Sequence, residues 1–214
     1  MPTVLITREH AAPLSDLLAE RGVDSVHVPM LRLVGMGAQA PSGRPDHVLV
    51  TSAAAVRFAT GLSEAVSEAK LVAVGPATAA ALESAGLRVH LVGRSGGIAA
   101  LEMIPAGSCV WYVGAQQPSV GLDIALRARQ VTRWAVYRAE MRPVVVQDEG
   151  LDAVVFTSGR TIEAYVQANG VPRLPVVVLG PTTRGVADRL GVHVEACADE
   201  PTLNRLADAV ASLL

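Results

Sequence analysis

Hydroxyl residues and Gly-Pro pairs recur in this 214-residue chain at places suited to chemistry, directly after a short apolar run and before a helical pattern. Thr51-Ser52 closes the run HVLV, and Thr157-Ser158-Gly159 closes AVVF. Gly75-Pro76-Ala77-Thr78 closes LVAV, and Gly180-Pro181-Thr182-Thr183 closes VVVL. Ser and Thr at such places cap the following helix, and Pro suits its first turn. For each hydroxyl taken alone, capping is the better explanation. The same loops have a chemical use, because uncapped amides at a helix start bind anions with help from the helix dipole. Four such starts, together with Arg8 at the end of the run TVLIT, give a distributed affinity for carboxylates or phosphates. A nucleotide site has little support, since neither GxxxxGK[ST] nor GxGxxG occurs. No Ser-His-Asp constellation can be picked out. His10, His27, His47, His90 and His193 are scattered without metal-ligand spacing, and the expectation is no metal and no cofactor.

These loops come in pairs because the chain repeats. The first copy runs from Asp46 to about Val92 and the second from Asp152 to Cys197. Each holds an apolar strand, a helix, a second apolar strand and a helix closed by Gly86 or Gly191. The offset is 106 residues from Ser52 to Ser158 and one less from Gly75 to Gly180, far longer than a solenoid period. The match extends outward: PTVLITREH from Pro2 aligns with SCVWYVGAQ from Ser108, and RGVDSVHVPMLRL with RARQVTRWAVYRAE. The chain thus reads as two copies of a five-strand βα unit. Strands alternating with helices predict an α/β fold of parallel sheets, and five strands suit the flavodoxin-like order 2-1-3-4-5. In such sheets ligands sit at the C-terminal strand ends, where the loops above fall.

Linker-like segments, Leu31 to Pro45 and Arg138 to Asp148, follow the second strand of each copy rather than separating the copies. That favours an exchanged division: residues 37–136 as one flavodoxin-like domain, and residues 1–34 with 139–214 as a discontinuous second one. The N-terminal βαβ then packs with the C-terminal half. The chain crosses between domains near Leu31 to Val34 and near Arg138 to Val145, and the two crossings are expected to pair as a two-stranded hinge.

Composition bounds the partners. Half the residues are hydrophobic and few are aromatic, so aliphatic cores are expected. A formal charge of -2 supplies no basic field for nucleic acid. Cys109 and Cys197 lie in apolar runs without CxxC spacing and read as buried thiols of a reducing compartment. Met1-Pro2 leads straight into VLIT without a basic and apolar leader, and no apolar run has the length of a membrane span. A cytoplasmic protein that does not enter the membrane is expected.

The set VLITRE, DHVLVTSAAAVR, LVAVGPATAAALESAG, AVYRAE, DAVVFTSGRTIEAY and VVLGPTTRGVADRLG, in this order, resembles uroporphyrinogen-III synthases over essentially the whole chain. The resemblance implies two flavodoxin-like domains joined by a two-stranded ladder, with the exchanged N-terminal βαβ. It implies a lyase of haem biosynthesis that closes hydroxymethylbilane, a linear tetrapyrrole with eight carboxylates, into uroporphyrinogen III with inversion of ring D and loss of water. Departure of the hydroxyl leaves an azafulvene, attack by the substituted carbon of ring D gives a spirocyclic intermediate, and this fragments and recloses. No metal or organic cofactor is implied. By motif matching, Tyr137 in AVYRAE is the residue that assists departure of the hydroxyl; a phenol keeps its proton at neutral pH and can donate it. Packing at the hinge is its bland role, and Tyr165, in mid-helix, is read as packing. Substrate contacts carried over are Arg8, Thr51, Ser52, Thr78, Thr157, Ser158, Gly159, Thr182 and Thr183. Ala54 stands where bacterial relatives often have Asn, and Arg94 to Ile104 fits the family loosely. The expected partners are the substrate alone and, transiently, hydroxymethylbilane synthase, with the chain a monomer. A non-catalytic two-lobed binding protein for anions or tetrapyrroles on the same scaffold is the alternative, and a nucleotide-using transferase ranks last.

Overall fold

Short runs of β-branched and aliphatic residues supply the strands, and helices with one apolar side cover both faces of each sheet. The computed structural model describes residues 1–94 and 96–214. The stretch RSGG, Arg94 to Gly97, reads as a turn, and Ser95 within it lies outside the described residues. In chain order the elements are β1 (Thr3–Ile6), α1 (Leu14–Ala19), β2 (Asp24–His27), β3 (Leu31–Gly35), β4 (His47–Val50), α2 (Ala53–Phe58) and α3 (Leu62–Ala65). Then come β5 (Lys70–Ala73), α4 (Pro76–Ser84), β6 (Val89–Val92), α5 (Gly97–Glu102), β7 (Val110–Ala115), α6 (Val120–Ala128) and β8 (Thr132–Met141). The chain ends with β9 (Ala153–Phe156), α7 (Gly159–Asn169), β10 (Val176–Val178), α8 (Pro181–Arg189), β11 (Ala196–Cys197) and α9 (Leu203–Leu213).

The chain forms two compact units: residues 1–32 with 140–214, here the first unit, and residues 33–139, the second. The first unit's sheet has the order β11-β10-β9-β1-β2, which in strands counted from β1 is the flavodoxin-like 2-1-3-4-5 read backwards. All its pairings are parallel. The second unit's sheet, β3-β8-β7-β4-β5-β6, has the same order once β7 is taken as the first strand, with β3 added beyond β8. From β8 to β6 its pairings are parallel.

Alternation along the strands sorts the cores. In the second unit Val48, Val50, Leu71, Ala73, Trp111, Val113 and Trp134 face one layer with Ala55 and Leu82, whereas Leu49, Val72 and Tyr112 face the other with Leu101 and Leu126. In the first unit Val4, Ile6, Val155 and Val177 pack with Leu14, Leu18 and Leu206. On the opposite face Leu5, Val154, Phe156 and Val178 pack with Ile162, Tyr165 and Ala187. Tyr165 does pack: it is 1% exposed and meets Phe156 edge-on at 5.6 Å. This is the two-sided burial that continuous apolar runs call for.

Two expectations need correction. The helix after Ser52 is not continuous; it breaks after Phe58, and Gly61, with φ +73°, begins α3. The thiols are not both buried: Cys109 is exposed just before β7, and Cys197 is half-buried on the edge strand β11. An apolar run does not bury its first residue when that residue precedes the ladder.

Candidate active site

In the second unit, Thr51 and Ser52 directly follow β4, and their side chains leave toward opposite faces of the sheet, as alternation requires. Ser52 caps α2: its Oγ accepts the Ala55 amide at 3.0 Å. A hydroxyl that accepts once still has its proton and a second lone pair. Tyr137, in the middle of β8 where its ladder with β7 ends, uses this capacity, with its Oη 3.1 Å from Ser52 Oγ. Both residues are half-buried. The Phe58 ring flanks Tyr137 with centroids 5.9 Å apart, and Arg57 lies 4.5 Å over the Phe58 face. Thr51, on the other face, donates from Oγ1 to the Val113 carbonyl at 3.2 Å.

The Gly75-Pro76 loop leaves the start of α4 without a side-chain cap. Thr78 is buried in the first helical turn, its amide bonded to the Gly75 carbonyl at 3.1 Å. The amides of the loop are also left at the helix start.

The first unit has the same plan with different side chains. Ser158 caps α7 by accepting the Thr161 amide at 3.4 Å, and Thr161 Oγ1 donates back to the Ser158 carbonyl at 2.7 Å. Gly159 is needed for close approach, since a Cβ there would overlap Val186 of α8. Thr157 is half-buried. At the uncapped start of α8, Thr183 is buried and Thr182 exposed. Arg8 follows β1, the neighbour of β9, which places it beside the Thr157-Ser158-Gly159 end. Its Nη1 is buried without a hydrogen-bond partner. Burial lowers the Arg8 pKa and nearby Glu9 opposes this. A guanidinium keeps its charge regardless, so this is a buried cationic donor with capacity to spare.

The structure therefore brings Tyr137 to Ser52 in one unit and Arg8 to the β9 loop in the other, and it largely buries the residues Thr78 and Thr183. Tyr112 was missed in the sequence. It is 1% exposed in β7, and its Oη donates to the Ala115 carbonyl at 2.9 Å. Burial, opposed by the Thr51 hydrogen bond, pushes its pKa up to about 12. The available signal was a tyrosine in a buried strand, whose hydroxyl has to find a partner. Among the described residues no group of three or more His, Cys, Asp or Glu side chains could hold a metal. A cavity of about 280 Å³ lined by Ala40, Pro41, Arg44, Glu68 and Trp111 lies in the second unit, away from these strand ends. Strand polarity is the better guide to the site here, because in parallel sheets ligands meet the C-terminal ends.

A family model described as uroporphyrinogen-III synthase HemD matches residues 12–208 of the chain. The chain belongs to the uroporphyrinogen-III synthase family. It is thus an enzyme of the lyase class, whose substrate in this family is a tetrapyrrole. A solved structure of uroporphyrinogen-III synthetase from Helicobacter pylori is similar to it at 15% identity, with 100% of both chains covered and a TM-score of 0.71. A mutant uroporphyrinogen III synthase from the extremely thermophilic bacterium Thermus thermophilus is similar at 19% identity, covering 99% of this chain and 98% of its own, with a TM-score of 0.57. At such identities these two structures speak for the fold alone. No curated protein matches the chain. Among the described residues no helix is long and apolar enough to cross a membrane.

Proposed function

We propose that the chain closes hydroxymethylbilane to uroporphyrinogen III through the hydroxyl pair of Tyr137 and Ser52. Family membership over residues 12–208 carries the reaction, and the 3.1 Å contact at the C-terminal sheet edge is what supports the location. The Tyr137 phenol donates its proton to the departing hydroxyl, which leaves as water. Ring closure later releases one proton from the attacked pyrrole carbon, so the phenol ends protonated and the cycle balances. Ser52, held by its own cap bond, orients the phenol and accepts or donates as the proton moves.

The substrate carboxylates are bound by each unit's strand-end loops. The Arg8 guanidinium, half-buried at the strand end, takes one in a charge-assisted hydrogen bond. The uncapped starts of α4 and α8 take others through main-chain amides, with Thr182 as the exposed hydroxyl. Thr51, Thr157, Ser158 and Gly159 shape these loops, and Thr78 and Thr183 sit in the first turns of α4 and α8. Much of the bond-making belongs to the pyrroles; the protein's part is to fold the chain for ring-D attack and to keep out head-to-tail closure. As a biosynthetic enzyme it works in the cytoplasm as a monomer and receives substrate from hydroxymethylbilane synthase in passing contact.

Freshly generated hydroxymethylbilane incubated with the protein, then oxidised and resolved into porphyrin isomers, tests the reading. Isomer III in excess over the spontaneous isomer I is expected. Isomer I alone, from protein shown to be folded, would sink it.

A further inference from the structure

The Tyr137 side chain should not face Ser52 if β8 were a regular strand. Trp134 and Val136 point into the layer that holds α2, so strict alternation would send residue 137 to the opposite face. The pairing of β7 with β8 shows why it does not. Gly114 pairs with Ala135, but Ala115 pairs with Tyr137, so β8 carries one extra residue at this point. The bulge turns Tyr137 onto the same layer as Val136, where Phe58 and the Ser52 cap lie. Bulges beside functional sites characteristically re-aim a side chain in this way.

What fixes the bulge is on the far face of the sheet. Tyr112 runs along β7 to its end, where its Oη donates to the carbonyl of Ala115, the residue that takes the shifted partner. The next amide, of Gln116, donates to the Tyr137 carbonyl at 2.8 Å and closes the shifted register. Gly114 leaves the room: a Cβ there would overlap both Thr51 Oγ1 and Tyr112 Oη. We infer that Tyr112 is a positioning residue, whose hydroxyl pins the Ala115 carbonyl and thereby holds the β8 bulge that aims Tyr137 at Ser52. The first unit supports this from within the same chain. Ile6 and Leu31 stand 106 residues before Tyr112 and Tyr137, so the unit without the phenol at the rim is also without the phenol behind it.

The inference rests on the proposed role of Tyr137, and two measurements separate the two claims. Steady-state kinetics of Tyr112→Phe, Tyr137→Phe and the double variant form the first. Tyr112→Phe is expected to lower kcat about tenfold with KM held within about twofold, as for a displaced catalytic group. In the Tyr137→Phe background it should lower kcat no further. Amide exchange at Gln116, followed by NMR in the wild type and Tyr112→Phe, is the second and needs no turnover. Exchange at Gln116 should rise about tenfold while amides in β4 and β5 stay unchanged, as in a local opening. An equal kcat loss in both backgrounds, an unchanged kcat, or unchanged Gln116 exchange would each overturn the inference. Wild-type protein yielding only isomer I would instead remove the synthase reading, and Gln116 exchange would then decide alone whether Tyr112 holds the bulge.

Discussion

One βα scaffold, used twice, ends in a guanidinium in the first unit and in a pair of hydroxyls in the second. Arg8 and Gly114 occupy equivalent positions, 106 residues apart, at the ends of β1 and β7. Behind them stand Ile6 and Tyr112, and on the neighbouring segments Leu31 and Tyr137. Where the side chain at the strand end is large and charged, the strand behind it carries no phenol. Where it is glycine, a phenol from the strand fills the room and reaches the main chain. The cap serines, Ser52 and Ser158, do the same local work in both units, yet only Ser52 meets a second hydroxyl outside its own helix among the bonds described. The difference teaches that motif identity locates the rim and the non-repeated residues give each rim its chemistry. On this account both rims bind carboxylates through main-chain amides, and the first adds a guanidinium where the second adds a proton donor.

Substitutions can break this contrast, and the largest effect is expected for Tyr137→Phe. Loss of a general acid costs about a hundredfold or more, so kcat should fall by about that factor while far-UV circular dichroism stays unchanged. Exchanging the strand-end residues comes next. Gly114→Ala forces a Cβ into Thr51 and Tyr112 and should destabilise the protein by about 1–3 kcal/mol in urea unfolding. Arg8→Gly at the equivalent place removes a buried donor without a partner and should leave stability unchanged or higher, the opposite sign. Equal destabilisation by the two would erase the distinction between the rims.

The smallest expected effect is in pH. His47, buried at the start of β4, has Nδ1 without a partner, and its equivalent in the first unit is Ala153. Burial lowers its pKa below the ordinary 6.5; Lys70, His90 and Arg129 lower it further, and Asp46 opposes them. The folded state therefore binds fewer protons than the unfolded chain below about pH 6.5, and the second unit's stability falls as pH drops through that region. Amide exchange at pH 5.5 should accelerate in β4 before β9, and His47→Asn should abolish the lag. Simultaneous acceleration in the two strands would contradict this.

The sequence makes the scaffold legible because its signals are local. HVLV, LVAV, AVVF and VVVL are too short and apolar for anything but doubly covered strands, and their order, with the outer alignment of VLIT and VWYV, is enough to reach the sheet order found. The strand-end position of Thr51, Ser52, Thr157, Ser158 and the Gly-Pro loops follows from the same runs. The aim of Tyr137 does not, because a bulge is a property of two strands in register, and AVYRAE reads as plain alternation. Gly114 inside VWYVGA was the trace of it, since an isolated glycine in a strand marks a bulge or close approach. The burial of Thr78 and Thr183 was equally out of reach: both follow Gly-Pro, and only the packing of the helix start shows which residue of the first turn is covered. Gly61 breaking the helix after Ser52 into two was open to view, though one glycine in a helical pattern is often tolerated.

The division of labour between the rims is tested most directly by measuring kcat and KM for Arg8→Gln and Tyr137→Phe side by side, with isomer III as the product followed. The account predicts that Arg8→Gln raises KM about tenfold, the loss of one charge-assisted hydrogen bond, and leaves kcat near wild type. Tyr137→Phe should do the reverse, lowering kcat with KM unchanged. A fall in kcat for Arg8→Gln, or a rise in KM alone for Tyr137→Phe, would contradict it.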